Sequence, residues 1–305
     1  MATSTISAPN AVGIGGTVQE YLWAWERQEL PIVYETLGKG SPILLLPAFS
    51  TASTRSEMRG LAELLSSQFQ VVALDWPGFG RSPRLPLNYQ PALYHQFLED
   101  FVKNVFNTPV AIIAAGHAAG YAMQLAQQQP PVLSRIVLAA PTWRGPFPTM
   151  MGKQQGWFGT LRNVVRSPIL GQALYKLNTT ESFISLMYRR HVYVEPDSLT
   201  PSRLEQKLQT AHQPGARFAP AAFVTGGLDP VNHRDDFLAW FQPLPLPVMV
   251  VIGEQAPPKS KEEMEAMANV SGVQTVRLPG SLGLHEEYAD AVGAAILPFL
   301  MGEGG

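Results

Sequence analysis

The chain of 305 residues has no cysteine. Disulfides, thiolate nucleophiles and cysteine-ligated metals are therefore excluded, and a reducing compartment suits such a chain. Strong net charge is also missing. The formal balance is −2 and the isoelectric point about 6.3, which points away from nucleic-acid partners. No apolar run approaches the roughly 20 residues of a membrane span. Residues 1–17 are small and polar without a basic start, so they read as a flexible leader and not a signal peptide. Together these features predict a soluble, cytoplasmic protein.

What is present is a large apolar fraction, 46%, enough for one large domain with an insertion. The stretch TVQEYLWAWERQELPIVYETLG alternates aromatic and polar residues and turns near Arg27 and Gln28, as a β-hairpin does. Six short apolar runs follow, at 42–49, 70–78, 109–116, 134–142, 247–253 and 273–279, each fit for a strand covered on both faces. Helical patterns lie between them at 54–68, 90–106, 118–129, 259–269 and 286–301. Strand alternating with helix predicts an α/β fold with a mostly parallel, doubly wound sheet. The alternation stops over 143–236, which predicts a helical cap inserted between core segments 18–142 and 237–305.

Four stretches in order resemble the α/β-hydrolase fold superfamily. DWPGFGRS (75–82) is similar to its D-x-P-G-x-G-x-S turn, and Gly116-His117-Ala118-Ala119-Gly120 is similar to its G-x-S-x-G elbow. A cap and the stretch VIGEQ (251–255) follow, and then a histidine near the end. The resemblance covers roughly residues 18–301.

It implies a serine nucleophile, a histidine base and an acid that orients the base. Here the nucleophile position falls on Ala118 and the usual acid position on Ala256, leaving Glu254 as the tentative acid and His285 as the family histidine. Asp229 precedes the relevant strand and is not expected to complete a triad. Pro47 and Ala48 stand where the family's oxyanion loop begins His-Gly, so the amides of Phe49 and Ala119 are the expected oxyanion donors. Ser50, His117 and Trp143 are further candidates for lining the site. Ser53 or Thr54 suits a helix cap, and Asp75 suits a structural role in its turn. Either the chain has diverged naturally or Ala118 replaces a serine. His191, His212 and His233 lack metal-ligand spacing, and neither metal nor cofactor is expected.

Residues 143–220 carry ten Lys or Arg against four acids, among large apolar residues such as Trp157, Phe183 and Leu186. Such a cap suits a small apolar ligand bearing an anionic group, or peripheral contact with an anionic membrane. Three functions stay open. One is an esterase- or lipase-like hydrolase of an apolar ester or carbonyl compound, with a degenerate triad. The others are a nucleophile-free, lyase-like enzyme using His285, and a non-catalytic ligand-binding protein.

Overall fold

Alternation of aromatic and polar side chains folds the hairpin as expected: β1 (Thr17–Trp25) pairs antiparallel with β2 (Gln28–Leu37), and Glu26 takes a left-handed conformation in the turn. The computed structural model describes residues 13–302. The first twelve residues of the expected leader lie outside that range. The leader's last residues depart from expectation, because Ile14 is fully buried and the Glu35 carboxylate accepts from the N–H groups of Ile14, Gly15 and Gly16 at 2.7–3.0 Å. One buried carboxylate thus satisfies three backbone donors and pins the chain entry.

The six apolar runs become β3 (Ser41–Leu46), β4 (Phe69–Leu74), β5 (Val110–Ala115), β6 (Leu133–Ala139), β7 (Val248–Gly253) and β8 (Gln274–Leu278). The sheet has eight strands in the order β1-β2-β4-β3-β5-β6-β7-β8, parallel from β4 to β8. β5 and β7 are buried at every residue, as strands covered by helices on both faces must be.

The first covering helices are α1 (Arg59–Leu65), α2 (Pro91–Val105) and α3 (Ala118–Leu125). Between β6 and β7 the chain adds α4 (Pro146–Met151), α5 (Trp157–Arg166), α6 (Leu170–Leu177), α7 (Glu181–Met187), α8 (Pro201–Ala211), α9 (Phe218–Val224) and α10 (Arg234–Leu238). The chain then completes the core with α11 (Pro258–Ala268), α12 (Leu284–Glu287) and α13 (Ala289–Met301). The cap is not uniform. Ile184, Tyr188, Tyr193, Leu199 and Ala211 form a satellite cluster with Ala52, whereas Phe218, Ala219 and Ala222 of α9 join the main core.

The DWPGFGRS turn is built around a buried ion network. Arg55 is fully buried, its Nε 2.8 Å from Glu35 and its Nη1 2.5 Å from Asp75. Asp75 also accepts from the N–H groups of Arg55 and Arg81. Gly80 has φ +52°, and a Cβ there would sit 2.2 Å from the Asp75 carboxyl carbon, so only glycine fits. Asp75 has the structural role expected of it. Thr54 caps the turn that begins at Arg55, its hydroxyl accepting from Ser56 N–H.

Candidate active site

The strand-to-helix elbow is present, but two residues earlier than expected. The left-handed residue after β5 is Gly116, φ +52°, whereas Ala118 opens α3 and is fully buried. The expectation that Ala118 occupies the strained turn is corrected: that place belongs to Gly116. The physical reason lies in the small residues Ala114, Gly116, Ala118 and Ala119. They fit the alternation in two registers, and only glycine takes positive φ without steric cost. A Cβ on residue 116 would lie 3.2 Å from the Ala48 Cβ, so the elbow meets the loop after β3.

That loop is tied down by a residue the sequence reading passed over. Glu57 Oε1 accepts from Ala48 N–H at 2.5 Å, and Glu57 Oε2 accepts from the Ser53 hydroxyl at 3.0 Å. The Ser53 hydroxyl also reaches Ala48 O, and Trp76 Nε1 donates to Pro47 O at 2.9 Å. Glu57 is 5% exposed and His285 2%. His285 Nε2 lies 3.4 Å from Glu57 Oε1, and its Nδ1 is buried without a partner. His285 therefore meets Glu57, whose carboxylate also ties down the loop after β3. The only hint in the sequence was an acid in the first turn of the helix that Thr54 caps.

Glu254 does not serve as the acid. It is exposed at the end of β7, with its charge felt by Arg277, so the tentative assignment is corrected. Ala256, at the usual acid position, is 6% exposed and offers no heteroatom. Of the expected oxyanion donors, Ala119 N–H is committed to Gly116 O at 3.2 Å, which removes it. Among the described residues, the N–H groups of Phe49 and His117 have no acceptor. His117 directly follows the left-handed Gly116.

The remaining candidates mostly pack. The Phe49 ring stacks on Trp76 at 4.9 Å and meets Phe79, Tyr94, His117, Tyr121 and Phe223. Ser50 Oγ accepts from Ala52 N–H at 3.2 Å and lies beside the Tyr188 hydroxyl. Trp143 is corrected as a site residue, because its indole N–H donates to Glu263 and its ring stacks on Phe237 at 6.0 Å. His117 Nε2 pairs with Leu228 O at 2.8 Å, and burial lowers its pKa to about 4. Asp229, 3.8 Å from that nitrogen, accepts from Gly145 N–H. Burial raises its pKa to about 7 against that bond and the charges of Arg144 and Arg162. Asp229 also accepts from the Gln154 amide and has no bond to His285.

Around His285 lies a second buried charge pair. Lys207 Nζ is 3.0 Å from Glu286 Oε2. Burial alone would raise the Glu286 pKa, yet the Lys207 ammonium outweighs it and holds the carboxyl below its usual range. The histidine loop is also stitched to the cap, Leu282 and Gly283 N–H donating to His191 O and Val192 O.

Among the described residues, no helix is long and apolar enough to cross a membrane. An uncharacterized protein of Mycobacterium tuberculosis is 29% identical over 107 residues, 35% of this chain but 31% of its own length. The match thus spans about a third of the curated relative. Solved structures share the fold at low identity. A thermophilic esterase from Thermogutta terrifontis is 20% identical (TM-score 0.67, 99% of each chain), and the Cif epoxide hydrolase from Acinetobacter nosocomialis is 18% identical (TM-score 0.71, 97% of this chain and 98% of that one). The enol-lactonase from Burkholderia xenovorans LB400 is 18% identical (TM-score 0.65, 90% and 96%). The model of the alpha/beta hydrolase family matches residues 43–295, from β3 into α13. With that match spanning most of the sheet, the elbow and the histidine loop, the chain belongs to the alpha/beta hydrolase family.

Proposed function

We propose that this chain is a non-hydrolytic member of its family, a binding protein built on the hydrolase frame. The observation that carries the reading is the pairing at the elbow. The left-handed position is Gly116, and the nearest carboxylate to His285 is Glu57, on the nitrogen at 3.4 Å. Without a side chain at 116, covalent acyl transfer has no first step. With Nε2 turned to Glu57, the histidine is held in place instead of facing a nucleophile.

A binding role is supported by a cleft of about 440 Å³ in the cap, a volume suited to a small molecule. Its lining includes Tyr175, Lys176, His212 and Arg217, and no acid. Such a lining favours a small ligand with an apolar body and an anionic group.

A second reading, a nucleophile-free enzyme, draws on one observation. Glu57 also lines an open cleft of about 620 Å³ with Arg203, Glu286 and Tyr288, which gives the Glu57–His285 pair a route to solvent. General-base catalysis contributes roughly 10²–10⁴-fold.

The test is a panel of esters, lactones and epoxides with a serine-directed phosphonate, applied to the natural chain. The binding reading expects no labelling and turnover equal to that of His285→Ala. Saturable turnover abolished by both His285→Ala and Glu57→Gln would establish the second reading and end the first.

A further inference from the structure

We infer that α6 and α7 form a docking surface for an anionic lipid bilayer. The inference does not depend on whether the elbow is catalytic. Along Ile169–Arg190, Tyr175, Ile184 and Tyr188 face inward, but several aliphatic side chains point outward. Ile169 is 85% exposed, Leu177 69%, Leu170 57% and Leu186 54%. On a helix, residues 169, 170, 173 and 177 share one face, so Ile169, Leu170, the exposed Ala173 and Leu177 make a stripe along α6. Helices in a finished core turn such a stripe inward. This one faces solvent, and an exposed apolar patch of this kind marks an interaction site.

The charges name the partner. Lys176 lies within the stripe's last turn, and Arg189 and Arg190 follow one residue after α7. The side chains of all three are exposed and make no ion pair or hydrogen bond among the described residues. Over residues 150–190 there are six Lys or Arg and a single acid, Glu181, in a chain whose net charge is −2. Of the other bases of the stretch, Lys153 is exposed outside α6 and α7, whereas Arg162 and Arg166 are engaged. Arg162 binds the Thr225 hydroxyl, and Arg166 binds the carbonyls of Pro86 and Leu87. Lys176 thus sits within the exposed aliphatic stripe, and Arg189 and Arg190 lie just past the exposed Leu186. A second copy of the chain is disfavoured as occupant, because a two-fold contact would set these cations against their own images. Aliphatic tips flanked by unpaired cations suit the interface of an anionic bilayer, where each base near the surface adds attraction.

The experiment is sedimentation of the full chain with vesicles of phosphatidylcholine and phosphatidylserine, against phosphatidylcholine alone, at low and raised salt. Binding is expected only to the anionic vesicles, weakened by salt. Lys176→Gln, Arg189→Gln and Arg190→Gln combined should weaken it by roughly a hundredfold. Ile169→Ser, Leu170→Ser and Leu177→Ser combined should abolish it, with the thermal unfolding of both variants unchanged because these side chains are exposed. A chain that stays in the supernatant at low salt overturns the inference, as does equal binding by the charge variant. A dimer in solution that the apolar variant disperses also overturns it, and assigns the face to a second copy.

Discussion

Nε2 of His285 lies 3.4 Å from Oε1 of Glu57, and both side chains are buried, 228 positions apart in sequence. The same Glu57 oxygen accepts from Ala48 N–H, so the histidine, the loop after β3 and the turn that leads into α1 meet on one carboxylate.

Replacing Glu57 tests how much of the site it holds. Glu57→Ala leaves the buried Ala48 N–H and the Ser53 hydroxyl without their carboxylate, at about 1–3 kcal/mol for each unsatisfied group. The expected loss is about 2–4 kcal/mol in urea unfolding. Glu57→Gln, which keeps one acceptor oxygen, should lose less than half as much. Equal losses would mean that the charge alone matters.

The elbow register makes a second prediction. Gly116→Ser in a Glu57→Gln background puts a hydroxyl on the left-handed turn beside a released histidine, and should gain slow labelling by a serine-directed phosphonate. Ala118→Ser in the same background should gain none, because position 118 is buried in the first turn of α3. Gly116→Ser should also cost about 1–2 kcal/mol of stability from its positive φ. Labelling of the Ala118→Ser variant alone would restore the register expected from sequence.

Asp229 makes a pH prediction of defined sign. Its folded pKa of about 7 lies above the ordinary 3.8, so the folded state keeps a proton that the unfolded state releases. That contribution is fully present below 3.8 and is lost as pH rises through 7. His117 acts in the opposite sense. Its folded pKa of about 4 lies below the ordinary 6.5, so its contribution is present above 6.5 and is lost as pH falls through 4. The two slopes oppose each other between pH 4 and 6.5. Asp229→Asn should therefore be near neutral at pH 4 and increasingly stabilising up to pH 7, by a few kcal/mol. Urea midpoints at pH 4.5, 6 and 8 measure it, and a difference that does not change with pH would refute the assignment.

Arg55 is the fourth test. Arg55→Met strips two buried carboxylates, Glu35 and Asp75, of their cation and should cost about 3–5 kcal/mol. Because Glu35 also holds Ile14, Gly15 and Gly16, amide exchange at those three residues should rise before global unfolding. Unchanged protection there would detach the chain entry from the network.

The sequence by itself determined the parallel sheet and the hairpin that precedes it. Each follows from local signals that tertiary contacts do not override: continuous apolar runs, helical spacing, and glycine-bearing turns such as DWPGFGRS. It left the elbow register open, because Ala114, Gly116, Ala118 and Ala119 are all small and the alternation reads equally well from either start. Only folding decided it, by the length of β5 and the positive φ that glycine alone takes freely. The Glu57–His285 contact was beyond local reading for a related reason. An acid in a helix's first turn is ordinary, and its meaning depends on which distant side chain the sheet topology carries to it. The same holds for Trp143 and Glu254, one claimed by Glu263 and Phe237 and the other left in solvent. Periodicity reports which face of an element is buried, and tertiary packing alone decides which buried groups touch.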